Sequence, residues 1–170
     1  MRSQTKGTST QNEVESRCDR IQPPAAVRFL AMIDVHESPF LYPMAAHGAW
    51  IVLLYASLTL VRAPDAWGIG RTSDGANPYS AIEPKLTANL RNQFEWPIFF
   101  YLVCILLIIE QSNHPLQTGF AWLFVAGRIL HTCIHVFLTG VRWRGLVFSV
   151  NFVAVLAMWC IFLSQHIILP

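Results

Sequence analysis

Charge is what this 170-residue chain has least of: Asp, Glu, Lys and Arg together make up only 13% of it, roughly half the usual share of about 25% in soluble domains. The net charge is +2, and no stretch carries the clustered Lys and Arg that a nucleic-acid-binding face requires. Cysteine is also sparse. Cys18 lies in a polar segment, while Cys104, Cys133 and Cys160 each sit inside an apolar run. With no CxxC spacing they read as packed free thiols, not as a metal or disulfide framework. The N-terminal twenty-two residues hold no apolar run that would make a secretory signal. The scarcity of charge elsewhere is sharpened by its placement, since ten of the twenty-two charged side chains lie within the first forty residues.

What is abundant is apolar surface, at 54% of the residues. Residues 1–40 read as a polar N-terminal tail, with AAVRFLAMI after Pro23 and Pro24 suited to a short helix lying at a membrane interface. Residues 41–170 read as an all-α integral membrane domain of four spans, at about 41–62, 84–111, 116–139 and 145–168. The first is closed by Arg62 and the Ala63–Pro64 break. Gly, Asn-Pro and Ser-Asp-Gly signals make the following segment a loop. Ser112-Asn113-His114-Pro115 makes a tight turn between the second and third spans, and Gly140 to Gly145 another between the third and fourth. Four spans of this length leave no room for a large catalytic domain outside the membrane.

Arg62, Arg71, Lys85, Arg91, Arg142 and Arg144 all fall in or beside the connections at one end of the bundle, and the opposite turn has no Lys or Arg. Short basic loops stay in the cytoplasm, so both termini are expected on the non-cytoplasmic side of a multi-pass membrane protein.

Charged groups inside a membrane helix cost about 2.5–3.5 kcal/mol each on insertion scales, which makes every one of them informative. Arg91, Asn92 and Glu95 cluster at the start of the second span. Arg128, His131 and His135 form one stripe, at spacings of three and four, on the third. Arg142 and Arg144 open the fourth, with Asn151 about two turns deeper. The hairpin topology brings the three groups to one depth. They read either as an ion-pair network, with Glu95 paired to Arg128, or as a cationic pocket for an anionic ligand. Metal or haem ligation by HTCIH, whose histidines stand at i and i+4, is opposed by the adjacent Arg128 and by the lack of a second His pair. No metal site is expected. His36, His114 and His166 read as solvated, and Glu110 as interfacial.

The strings LRNQFEWPIFF, GRILHTCIH and RWRGLVFSVNF, at these separations, resemble the MAPEG family, the membrane-associated proteins in eicosanoid and glutathione metabolism. Asn92, Glu95 and Pro97 match its Asn-x-x-Glu motif with a following Pro, Arg91 matches the Arg-Asn version, and Arg128, His131 and Thr132 match the third-span motif. The resemblance implies a four-helix bundle assembled as a homotrimer, with glutathione as co-substrate between subunits near the cytoplasmic face and a lipophilic electrophile arriving from the lipid. It implies a transferase, peroxidase or isomerase in which Arg91, Asn92, Glu95, Arg128, His131, His135 and Lys85 hold glutathione. Arg144, with Arg142 as the alternative, would activate its thiol. Two departures stand out: Ala88 replaces an Arg that many catalytic members carry four residues before the Asn, and His135 replaces a Tyr. They keep open the alternative of a non-catalytic accessory membrane subunit.

Overall fold

A computed structural model describes residues 37–137 and 141–168, together with Pro24 and Val27. Apart from Pro24, Val27 and residues 37–40, the polar tail and the short interfacial helix expected near 25–33 lie outside the described residues. The rest is helical: α1 is Leu41–Trp67, α2 Glu83–Glu95, α3 Pro97–Ile109, α4 Pro115–Phe137 and α5 Val141–Leu163, the last continuing as a π-helical turn, Ser164–Ile168. No strand occurs among the described residues. Four stretches are long and apolar enough to cross a membrane: α1, α2 joined to α3, α4, and α5. The protein is thus an all-α, integral, multi-pass membrane protein.

α1 does not stop at Pro64 but runs one turn further, to Trp67. The stop comes from Gly68, whose φ of 70° lets its N–H bond back to the Pro64 carbonyl at 3.0 Å. The loop that follows is ordered by side chains that satisfy the exposed helix end. Arg71 Nε donates to the Pro64 carbonyl at 2.8 Å. Asn77 Nδ2 donates to the Val61 carbonyl at 3.2 Å and to the Asp65 carboxylate at 2.5 Å. At the loop tip the Thr72 hydroxyl, followed by the loop's own backbone N–H groups, holds the Asp74 carboxyl below its ordinary pKa.

The second span is two helices, because Pro97 has no N–H to return to the Gln93 carbonyl and instead opens α3 at its first position. α5 secures this break from outside the turn. Trp96 stacks on Phe152 with ring centroids 4.5 Å apart, and Trp159 Nε1 donates to the Phe99 carbonyl at 3.2 Å. Between α3 and α4 the chain reverses through Gln111, at φ 53°, with the Ser112 N–H returning to the Leu107 carbonyl at 3.0 Å.

α5 begins at Val141, four residues earlier than the sequence suggests, so Arg142 and Arg144 lie in its first turn. The basic ends of the helices are linked in series. Arg62 reaches Glu83 at 2.6 Å from α1 to α2, Lys85 Nζ reaches the Val136 carbonyl at 3.5 Å from α2 to α4, and Arg144 Nη1 lies 3.4 Å from His135 Nδ1 between α5 and α4. At the other end His166 and Glu110 pair at 2.7 Å. Both of those side chains, expected to be solvated or interfacial, therefore also tie α5 to the end of α3.

Candidate functional site

α2 carries two polar faces with opposite fates. Leu86, Asn89, Leu90 and Gln93 are buried, whereas Pro84, Thr87, Ala88, Arg91, Asn92 and Glu95 line an open cleft of about 600 Å³. Helical geometry makes this unavoidable: at 100° per residue, Gln93 and Glu95 stand about 200° apart around the axis. With Leu86 and Leu90 turned inward, Glu95 must face out.

This placement corrects the expected ion pair. Glu95 is 66% exposed, and the cation beside it is Arg91, 84% exposed and 3.6 Å away at i, i+4. Arg128 is 1% exposed, its guanidinium packs 5.3 Å from the centroid of Phe124, and none of its three side-chain nitrogens has a hydrogen-bond partner among the described residues. Depth brought the two residues level. Rotation about the helix axes kept them apart.

The other expected site residues fall into two groups. Lys85, His135 and Arg144 meet where α2, α4 and α5 come together, through the contacts already given. His131 lies behind them, buried, its ring parallel to that of His135 at 6.0 Å and tilted against Phe148. The two imidazoles are stacked and do not converge on a common point. Arg142 is exposed, whereas Arg144 is half-buried. Neither Arg144 nor His135 lines the α2 cleft, so within one chain Arg91, Asn92 and Glu95 do not meet the Lys85–His135–Arg144 group.

Behind the cleft runs a hydrogen-bonded network whose organisation spacing alone does not reveal. Asn89 Nδ2 donates to Thr132 Oγ1 at 3.0 Å, Gln93 Nε2 approaches the same oxygen at 3.4 Å, and the Trp50 indole N–H does so from α1 at 3.4 Å. Thr132 in turn donates to the Arg128 carbonyl at 3.1 Å. Gln93 continues to His47, and His47 to Tyr101. A legible signal did exist, since Asn89 and Gln93 at i, i+4 share the stripe defined by Leu86 and Leu90. Buried polar residues on an apolar face need partners, and here Thr132 and His47 supply them.

A little further along α4, Gly127 faces Asn151 of α5 so closely that a methyl group there would collide with the amide. This glycine lets the two helices approach. Chemically, the basic end of the bundle thus offers an outward cleft with two carboxylates, Glu83 and Glu95, one amide and one guanidinium, and a separate Lys–His–Arg group, with a buried polar network between.

No curated protein and no solved structure matches the chain. A family match, by contrast, covers residues 40–164, from the residue before α1 to the residue after α5. The helical architecture agrees with it, and the chain belongs to the MAPEG family.

Proposed function

We propose that this protein is a glutathione-dependent transferase, peroxidase or isomerase that acts on a lipophilic electrophile as a homotrimer. The basic end faces the cytoplasm and both termini the opposite side. The observation that carries this reading is the open face of α2. Arg91, Asn92 and Glu95 line a cleft that their own chain leaves unclosed, and family membership supplies the ligand and the neighbouring copy that would close it. Arginine and lysine offer donors to the two glutathione carboxylates, planar and bidentate in the case of arginine. Arg91, Lys85 and Arg128 take that role. Asn92 and Glu95 orient the amides and the amine, while His131 and His135 add hydrogen bonds.

A thiol of pKa about 8.5 becomes a thiolate near pH 7 when a cation lowers that value by about two units, worth about 2.7 kcal/mol. A half-buried guanidinium can do this, whereas a fully exposed one is screened by water. Arg144 is half-buried and Arg142 exposed, which favours Arg144 for the sulfur. Arg144→Ala is expected to keep glutathione affinity within a few-fold and to remove the ultraviolet absorbance of the bound thiolate at neutral pH. Persistence of that absorbance in Arg144→Ala, with its loss in Arg142→Ala, would move the role to Arg142.

One observation favours a second reading. Ala88 lines the cleft where many catalytic relatives carry an arginine, so one carboxylate contact is missing from the face itself. The alternative is a non-catalytic accessory membrane subunit. Failure of the unaltered protein to bind glutathione at millimolar concentration would select it.

A further inference from the structure

His47 is wholly buried on α1, and each of its ring nitrogens has a partner of a different kind. Nδ1 lies 2.8 Å from the Tyr101 hydroxyl, and Nε2 lies 3.2 Å from Gln93 Oε1. The Gln93 amide nitrogen is turned toward Thr132, so the atom presented to the imidazole is an oxygen, which only accepts. Nε2 therefore carries the ring hydrogen and Nδ1 the lone pair. Tyr101 donates to that lone pair. Phe100 and Phe124 enclose the ring, with centroids 6.1 and 5.4 Å away, and fix its plane.

The resulting order is hydroxyl, base and orienting group, each within hydrogen-bond reach of the next. It is the arrangement by which a weak nucleophile is activated, with a positioned base taking its proton as it attacks. Buried polar pairs usually serve stability alone, but this one ends on a residue that is only partly buried. Tyr101 is half-buried and shares one side of α3 with Ile98 and Ile105, three and four residues away, which are both exposed and in a membrane span face lipid or a neighbouring copy.

We propose that Tyr101, His47 and Gln93 form a second reactive site, independent of the glutathione reading, that takes lipid-soluble acyl or sulfonyl electrophiles at the Tyr101 oxygen. In the acyl case a bond forms from that oxygen to the acyl carbon, and the bond from the carbon to its leaving group breaks. The phenolic proton passes to His47 Nδ1, and Gln93 Oε1 holds the Nε2–H of the imidazolium. The proton then leaves on the departing group, so no electrons are gained or lost.

Treatment of the full-length protein in lipid bilayers with a lipophilic aryl sulfonyl fluoride tests this, because the reagent transfers its sulfonyl group to phenols with loss of hydrogen fluoride. The chain has four tyrosines, and three of them serve as internal controls: Tyr42, Tyr55 and Tyr79 are 63%, 50% and 45% exposed. Peptide mass spectrometry is expected to show Tyr101 modified at least tenfold faster than Tyr55, despite its lower exposure. His47→Phe should bring Tyr101 below Tyr55, and Gln93→Leu should cut its rate several-fold. Labelling in order of exposure, with Tyr101 last in the unaltered protein, would overturn the proposal without reference to how either variant folds. An unchanged Tyr101 rate in a folded His47→Phe variant would overturn it equally.

Discussion

Substituting Gly127 by alanine isolates the tightest contact between α4 and α5. A Cβ built there stands 2.9 Å from Asn151 Cγ and 3.3 Å from Nδ2, with Oδ1 closer still. Asn151 is wholly buried, so the helices must separate or the amide must leave its rotamer. Overpacking of this kind costs about 1–3 kcal/mol, and the gain from replacing a mid-helix glycine returns about 0.5–1 kcal/mol of that. The net expectation for Gly127→Ala is a loss of about 1–2 kcal/mol. For a chain of this length that is a fall in melting temperature of about 2–8 °C, measured by tryptophan fluorescence in detergent.

Asn151→Ala should behave differently. Both amide atoms lack a partner among the described residues, and an unpaired buried amide costs about 1–3 kcal/mol, which offsets the cavity left by truncation. The single variant is expected to be near neutral. In the double variant the collision is gone and the helical gain remains, so its stability should equal or exceed that of the parent, with a coupling of about 1–3 kcal/mol between the sites. A Gly127→Ala protein that melts at or above the parent, or two substitutions that simply add, would refute the close approach.

Among the described residues no carboxylate lies against Arg128, so replacing it by an apolar side chain of similar length removes a buried charge without orphaning a partner. Arg128→Met is expected to keep or raise the melting temperature, by up to about 1–4 kcal/mol in stability, and to weaken glutathione binding. A clear destabilisation would mean that the guanidinium has a partner. In the loop after α1, the Thr72 hydroxyl holds the Asp74 carboxyl below its ordinary pKa. The stabilisation belongs to the ionised form, is complete above the carboxyl's unfolded pKa and disappears as pH falls through the lower folded value. Thr72→Ala should move the Asp74 titration upward, as read from side-chain carboxyl carbon shifts in micelles, and an unmoved midpoint would remove the hydroxyl as the cause.

The four spans were legible because apolar runs of about twenty residues bounded by Pro, Gly and charge are constrained by membrane thickness alone. Depth was legible for the same reason. Lys85, His135 and Arg144 meet because the helix ends that carry them lie at one end of a bundle of antiparallel helices. Azimuth was harder to read. The pairing of Glu95 with Arg128 failed by rotation, not by level, and the Leu86–Leu90 stripe already indicated it: Glu95 is five residues beyond Leu90, about 140° around the helix. The end of α1 was misjudged for a different reason. Pro64 reads as a breaker, yet the helix carries on past it for one turn, and the left-handed Gly68 ends it instead. The Tyr101–His47–Gln93 chain was beyond reach, since it joins two spans and no local spacing relates His47 to Gln93 and Tyr101 across the chain reversal between them.

The two faces of α2 assign different work to neighbouring residues. Asn89 and Gln93 fasten the helix to α4 and α1 through Thr132 and His47, and Pro97 frees its orientation from that of α3. A continuous helix would couple the rotation of the cleft-lining residues to the packing of the whole span against α1 and α5. The break lets α3 pack by its apolar contacts, including Phe100 stacked on Phe124 at 4.2 Å, while hydrogen bonds set the azimuth of α2. Because those bonds are directional and apolar packing is not, they determine more sharply where Arg91, Asn92 and Glu95 point. The polar network buried in the span is thus the element that aims the open face, and a ligand read by that face depends on residues it never touches.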